Sequence, residues 1–232
     1  MSKLLTIIPI LLAGLTINSV SHASVTIDHT SRPPEHSSIQ TRSFSAPLME
    51  KRPIFIHAFI HDDITQPQSE IFTQHFLPVI KELESVTGRR VSVQFVRNRP
   101  SYTDFAYRDD DNQRVYENWL RRAIHYRNEQ NLPDTPTSRF ILLTKQGLNE
   151  KTGGLAFDGG QVAIASLKSK LFVGHEIGHT LTASHDNADV FYRGGWWCES
   201  YMAPKANSLY SNCNTYTDAN RAKIRAFLNN VP

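Results

Sequence analysis

From Ile54 onward, apolar residues recur in two rhythms that replace one another along the chain. Ile54-Phe55-Ile56-His57-Ala58-Phe59-Ile60 is a nearly continuous apolar run of strand length, which predicts a buried strand. Over Gln68 to Val86 the spacing becomes helical: Ile71, Phe72, Phe76, Val79, Ile80 and Leu83 share one face, and Thr87-Gly88 ends the helix. Arg90 to Val96 alternates Val91, Val93 and Phe95, a second strand. Asp109 to Gln130 is helical again, with Val115, Trp119, Leu120 and Ala123 as its buried stripe and Leu132-Pro133 as its stop. Phe140 to Leu143 has no polar alternation, so a third strand covered on both faces is expected there.

Strand, helix, strand, helix, strand is an α/β order and favours a twisted, mostly parallel sheet with helices packed on it. Gly153 to Phe157 and Gln161 to Ala165 flank Asp158-Gly159-Gly160 and predict a hairpin, hence an antiparallel edge strand. A further helix is expected over Leu167 to Ala183. Gly174 and Gly178 lie four residues apart within it, at about 1 kcal/mol each against alanine, so another backbone is expected close to that face. Beyond Asp186 the chain reads as a small, mostly irregular, aromatic-rich subdomain that ends in a helix over Asp218 to Asn229. No internal repeat is present.

The start of the chain changes the picture of where this domain works. Lys3, the apolar stretch Leu4 to Leu15 and the small residues of Ser21-His22-Ala23 predict a signal peptide over residues 1–23. A secreted or periplasmic protein follows. No cysteine stands at the cut and no other apolar run is of spanning length, so no stable membrane anchor is expected. Residues 24–52 are polar and turn-rich, a flexible arm or short pro-segment, and residues 53–232 form one domain. The net charge is only +3 and both signs are interspersed, which leaves no nucleic-acid footprint. A monomer is expected. The two cysteines, Cys198 and Cys213, form an even pair in an oxidising compartment and predict a disulfide, a loop closure of about 3 kcal/mol in the chain-entropy treatment.

The chemistry concentrates in His175-Glu176-Ile177-Gly178-His179, followed six residues later by His185. One helical turn separates the first two histidines, so they project about 40° apart on one face and can share a metal ion. Glu176 is the next residue round the helix and can reach a water on that metal without being a ligand. The pattern implies one catalytic Zn²⁺ ion held by His175, His179 and His185, with Glu176 as general base. Two other groups carry competing readings. His57 and His61 could form a second metal pair, but lie in a strand context. Asp109-Asp110-Asp111-Asn112 could take calcium, but a helix N-cap accounts for the same acids. An arm residue such as Asp28 could cap the zinc.

His175 to Asp186 resembles the metzincin consensus H-E-x-x-H-x-x-G-x-x-H. Tyr201-Met202-Ala203-Pro204 is similar to the methionine turn of that family. The His185-Asp186 pair and the stretch from Cys198 to Cys213 look most like its adamalysin (reprolysin) branch. The resemblance implies a zinc endopeptidase domain over residues 53–232. It also implies that a protein or peptide substrate lies extended along Gly154, Leu155 and Ala156, with the pocket floor near Met202 and Pro204. Four departures stand out. Thr182 replaces the usual glycine, no cysteine precedes the helix as a latency switch, one disulfide replaces several, and Pro204 stands where some branches place a tyrosine ligand. A threonine with positive φ is strained, so the turn is expected either to move to a neighbour or to bring His185 in by another path. Two other functions compete: a catalytically idle metzincin-fold binding module, and a zinc hydrolase of cell-wall peptides. The retained Glu176 argues against the idle module.

Overall fold

The computed structural model describes residues 51–205, 207–229 and 231. The expected signal peptide and almost all of the expected arm lie outside these residues. Ile54–Ile60 forms β1, and a helical segment follows: α1 at Gln68–Ile71, a π turn at Phe72–Phe76 and α2 at Leu77–Thr87. Gly88 caps it in the left-handed region at φ 64°. β2 is Val91–Val96 and α3 is Asn112–Glu129. α3 starts later than its pattern suggests because Asp111 is its N-cap, accepting from the Arg114 N–H at 3.0 Å. Asp109 is spent on the Arg114 side chain. The acidic run thus acts as a cap.

β3 is Ser138–Thr144, β4 Gly154–Ala156 and β5 Val162–Ser166. The five strands form one sheet in the order β2-β1-β3-β5-β4. β1 pairs parallel with β2 and β3, and β3 pairs parallel with β5. Only β4 runs antiparallel, as the outer strand on β5, with Leu155 opposite Ile164. The fold is therefore the expected mixed α/β architecture with a mostly parallel sheet and an antiparallel edge.

The missing alternation in β3 has a direct cause: both sheet faces are covered. On one face Ile54, Ile56, Ala58 and Ile60 meet Ile141, Leu143, Ala163 and Ala165, beneath side chains of the Gln68–Thr87 helix. On the other face Phe59, Phe140, Leu142 and Ile164 pack against Val115, Trp119, Ala123 and Tyr126 of α3. His57 belongs to this second layer, stacked on Phe140 at 4.9 Å, while the His61 imidazole lies 3.0 Å from the Phe105 carbonyl. They do not converge, and among the described residues the only metal-competent group is formed elsewhere.

Two expectations need correction. The helix expected over Leu167 to Ala183 is shorter: α4 spans Phe172–Thr180. Residues before it form turns, with the Ser169 hydroxyl accepting from the Leu171 N–H. The chain after Asp186 also contains a small three-stranded sheet of β6 Val190–Arg193, β7 Trp196–Glu199 and β8 Ser211–Asn212. Gly194 and Gly195, both with positive φ, turn β6 into β7. The Cys198–Cys213 disulfide is present and ties β7 to the chain just after β8. The terminal helix α5 is Asp218–Asn229, as its pattern predicts. Among the described residues no helix is long and apolar enough to cross a membrane.

Candidate metal centre

α4 presents His175 and His179 one turn apart, and both Nε2 atoms meet that of His185. The three separations are 3.2 Å for His175–His179, 3.0 Å for His179–His185 and 3.0 Å for His175–His185. The orienting partners lie behind the rings. The His175 Nδ1 is 2.8 Å from the Tyr201 carbonyl oxygen and can only donate to it, which leaves Nε2 as a bare lone pair. The His179 Nδ1 is 3.0 Å from an Asp158 carboxylate oxygen. Imidazole nitrogens at this spacing need a shared proton or a shared cation among them. The triangle matches one face of a tetrahedron with metal–nitrogen distances of about 2.0–2.1 Å. The donor set and its spacing fit zinc.

Burial shapes the protonation of the site. Desolvation first, and then the neighbouring His179, lowers the His175 pKa to about 3, so its ring is neutral and available as a ligand. Burial also lowers that of His185. The Glu176 carboxyl is buried beside the cleft, and desolvation raises its pKa well above the ordinary carboxylate range.

The turn that delivers His185 settles how the chain copes with Thr182. Neither expected alternative occurs: Thr182 itself adopts φ 69°. The Thr182 N–H donates to the His179 carbonyl at 2.9 Å, and the Ala183 N–H to that of Gly178 at 2.9 Å. These are the two bonds of a Schellman ending, here with threonine in the left-handed position. The next contact is a clamp the sequence pattern did not disclose. Asn220 of α5 is fully buried; its side-chain oxygen accepts from the Ser184 N–H at 2.9 Å. Its amide donates to the carbonyls of Ser184 and Asn187 at 3.1 and 3.2 Å. The segment carrying His185 is held on both sides of the histidine.

The two α4 glycines make room for side chains rather than for another backbone. A Cβ on Gly174 would collide with the Tyr201 ring; one on Gly178 would meet the Met202 sulfur at 2.6 Å and Tyr216 at 2.8 Å. Met202 is fully buried beneath the histidine helix. The Tyr216 hydroxyl donates to the Gly174 carbonyl at 2.7 Å. The wall that orients His175 therefore packs into notches that glycine leaves open.

A cleft of about 470 Å³ opens above the three histidines and Glu176. Gly154, Leu155 and Ala156 of β4 line one side, and Ala203, Pro204 and Lys205 the other. Gly154 touches the Glu176 carboxyl so closely that a Cβ there would clash. All the expected site residues except the cysteines and Met202 thus border one opening, and Met202 lies buried behind it. Pattern reasoning missed Asp158, Asn220 and the Tyr201 carbonyl, because each acts as a supporting group from a distant element. Only Asp158 had a signal, as the acid in the β4–β5 turn.

No protein-family model matches the chain, and no curated protein matches it in sequence. Its fold is similar to that of metalloproteinase-II from Bacteroides fragilis, with a TM-score of 0.53 and 17% identity over 77% of this chain and 53% of that one. The chain thus spans about half the length of that structure. A zinc-dependent peptidase from Methanocorpusculum labreanum aligns at a TM-score of 0.42 and 17% identity, over 73% of this chain and 99% of that one. The chain thus has a fold similar to that of a metalloproteinase, and its own three-histidine cluster lies in the cleft beside β4.

Proposed function

We propose that the chain is an exported zinc-dependent endopeptidase of the metzincin kind, nearest in its motifs to the adamalysin branch. The observation that carries this reading is the convergence of three imidazole nitrogens beside the buried carboxyl of Glu176, at the edge of an unfilled sheet. His175, His179 and His185 would hold a single zinc ion. When bound, zinc would supply the Lewis acidity that makes a water nucleophilic near neutral pH and polarises a peptide carbonyl.

The protein's own residues do the rest. Tyr201 and Asp158 fix the rings of His175 and His179 so that their free nitrogens face inward. Glu176 accepts a proton from the attacking water and returns it to the leaving amine. The outer edge of β4 receives the substrate backbone as an added strand, with Leu155 and Ala156 beside it and Pro204 on the opposite wall. Met202 supports the helix from below. Export is supported by the bonded Cys198–Cys213 pair, which belongs to oxidising compartments.

The test is cleavage of denatured casein by the purified chain, with and without a chelator, together with Glu176→Gln. The expected result is chelator-sensitive cleavage in the native chain. In Glu176→Gln we expect a loss of about 10²–10⁴-fold in rate with one zinc per chain retained. A native chain that binds stoichiometric zinc and cuts nothing would return the reading to a binding module.

A further inference from the structure

The cleft does not stop at the histidines. Lys151, Thr152, Gly153 and Phe172 line both the main opening and a side recess, which Arg108 and Lys168 also line. Lys205 faces the same opening from the wall beyond Met202. The single acid on the recess is Glu150, with a side chain 95% exposed and 3.7 Å from Arg108. Among the described residues Lys151, Lys168 and Lys205 make no ion pair with a carboxylate. Past the histidines, Asp158 holds the His179 ring from behind. The cleft and its recess are therefore basic on the side of Lys151, and the only acid among their lining residues besides Glu176 is the exposed Glu150.

The fold says which part of a bound peptide meets the basic side. β4 is the last strand of its sheet, so its outer edge is open to an added strand. Antiparallel addition is the more stable pairing, and it runs the peptide opposite to β4. The level of the scissile bond is set by Gly154, whose backbone lies against Glu176. Residues after that bond then pass Gly153, Thr152 and Lys151 and reach the recess. Residues before it pass Ala156 towards Asp158.

We propose that this cleft selects peptides with aspartate or glutamate within the first three residues after the bond that is cut, read by Lys151, Lys168 and Arg108 with Lys205 opposite. The assignment rests on the endopeptidase reading and deepens it. The selectivity is electrostatic and partly exposed, so it weakens with salt.

The experiment is cleavage profiling of the zinc-loaded chain on a mixed peptide library, with cut sites mapped by mass spectrometry. Matched quenched peptides that differ only in Asp or Lys at the three downstream positions follow. Acidic residues should be enriched after the cut. The Asp peptide should exceed the Lys peptide by about tenfold in kcat/KM at low salt and by roughly threefold at 0.5 M salt. The double variant K151E/K168E should reverse the preference. Cleavage of neutral peptides with no downstream acid preference would overturn this proposal and leave the endopeptidase reading standing. A preference that survives unchanged in K151E/K168E would overturn the assignment to the recess. A zinc-loaded chain that cuts no peptide would overturn both.

Discussion

Two parts of the chain meet at the histidines, and they rely on burial and on discrete bonds in different proportions. From Ile54 to Thr180 the structure rests on burial: a sheet covered on both faces, with Ile54, Phe59, Ile141 and Leu142 fully out of water. From Leu181 to Thr217 buried anchors of the same core recur at Leu181, Ala183, Tyr201, Met202 and Tyr216, and between them the order comes from a few discrete constraints. They are a left-handed threonine, the Asn220 clamp, one disulfide, and Glu82, which accepts from the Tyr216 N–H at 2.8 Å and pairs with Arg221. This second part sends Tyr192, Trp196, Trp197 and Leu209 into solvent. Yet it supplies His185, the carbonyl behind His175, and Met202. The site is thus held by packing on one side and by packing plus pins on the other. The pins can be pulled one at a time.

The largest single effect should come from the disulfide. Replacing Cys198 and Cys213 together with serine should cost about 3 kcal/mol in urea unfolding, the entropy of the loop they close. Hydrogen exchange should rise over residues 190–213 and stay low in α4. Equal loss of protection in both regions would mean that the two parts are one cooperative unit.

Asn220→Ala comes next. It strips three partners from Ser184 and Asn187 in a buried place, so about 2–3 kcal/mol of stability is expected to go. Because the clamp brackets His185, zinc affinity should fall about tenfold or more in a competition titration, as for loss of an outer-shell support. Lost stability with unchanged zinc affinity would show that His185 is placed without Asn220.

The packed half has its own weak point, and it is an acid one. Burial, and then the nearby Lys170, holds the His75 pKa down to about 4, against 6.5 when unfolded. A depressed histidine leaves the unfolded chain holding more protons as pH falls. Stability is therefore full above pH 6.5 and declines on the way down to about pH 4, by roughly 2 kcal/mol at pH 5. The buried His57 shifts in the same direction. His75→Leu should flatten the dependence of unfolding free energy on pH between 6.5 and 5, whatever it does to stability at pH 8. An unchanged slope would mean that the His75 ring meets water.

How much of this could be read from the chain alone follows the same division. The packed half was legible because periodicity reports burial: Ile71, Phe76, Val79 and Leu83 mark a face, and the unbroken Phe140 to Leu143 run marks a strand covered on both sides. The two α4 histidines and Glu176 were legible because a helix makes their spacing a distance. Asn220 was not, because a buried asparagine in a terminal helix has no local pattern and its partners lie more than thirty residues away. The β6–β7 hairpin was hidden because its strands expose their aromatics instead of alternating them. Gly194-Gly195 was its one local sign.

Thr182 is where the halves join, and it gives the smallest and sharpest test. A β-branched residue at φ 69° costs about 1–2 kcal/mol relative to one that tolerates the left-handed region. Glycine there would relieve that strain and give back about half of it through the greater freedom of the unfolded chain. The side chain it removes contributes little in return. The Thr182 hydroxyl donates to the Lys223 carbonyl over a long 3.4 Å, and its methyl would just touch a Cβ built on Gly159. Thr182→Gly should therefore stabilise the chain by about 1 kcal/mol with zinc affinity unchanged, while Thr182→Val, which keeps the strain and loses the hydroxyl, should gain nothing. A glycine variant less stable than the native chain would show that the hydroxyl and methyl contacts hold this turn. The pin between the two halves would then be the threonine side chain rather than the Schellman backbone bonds.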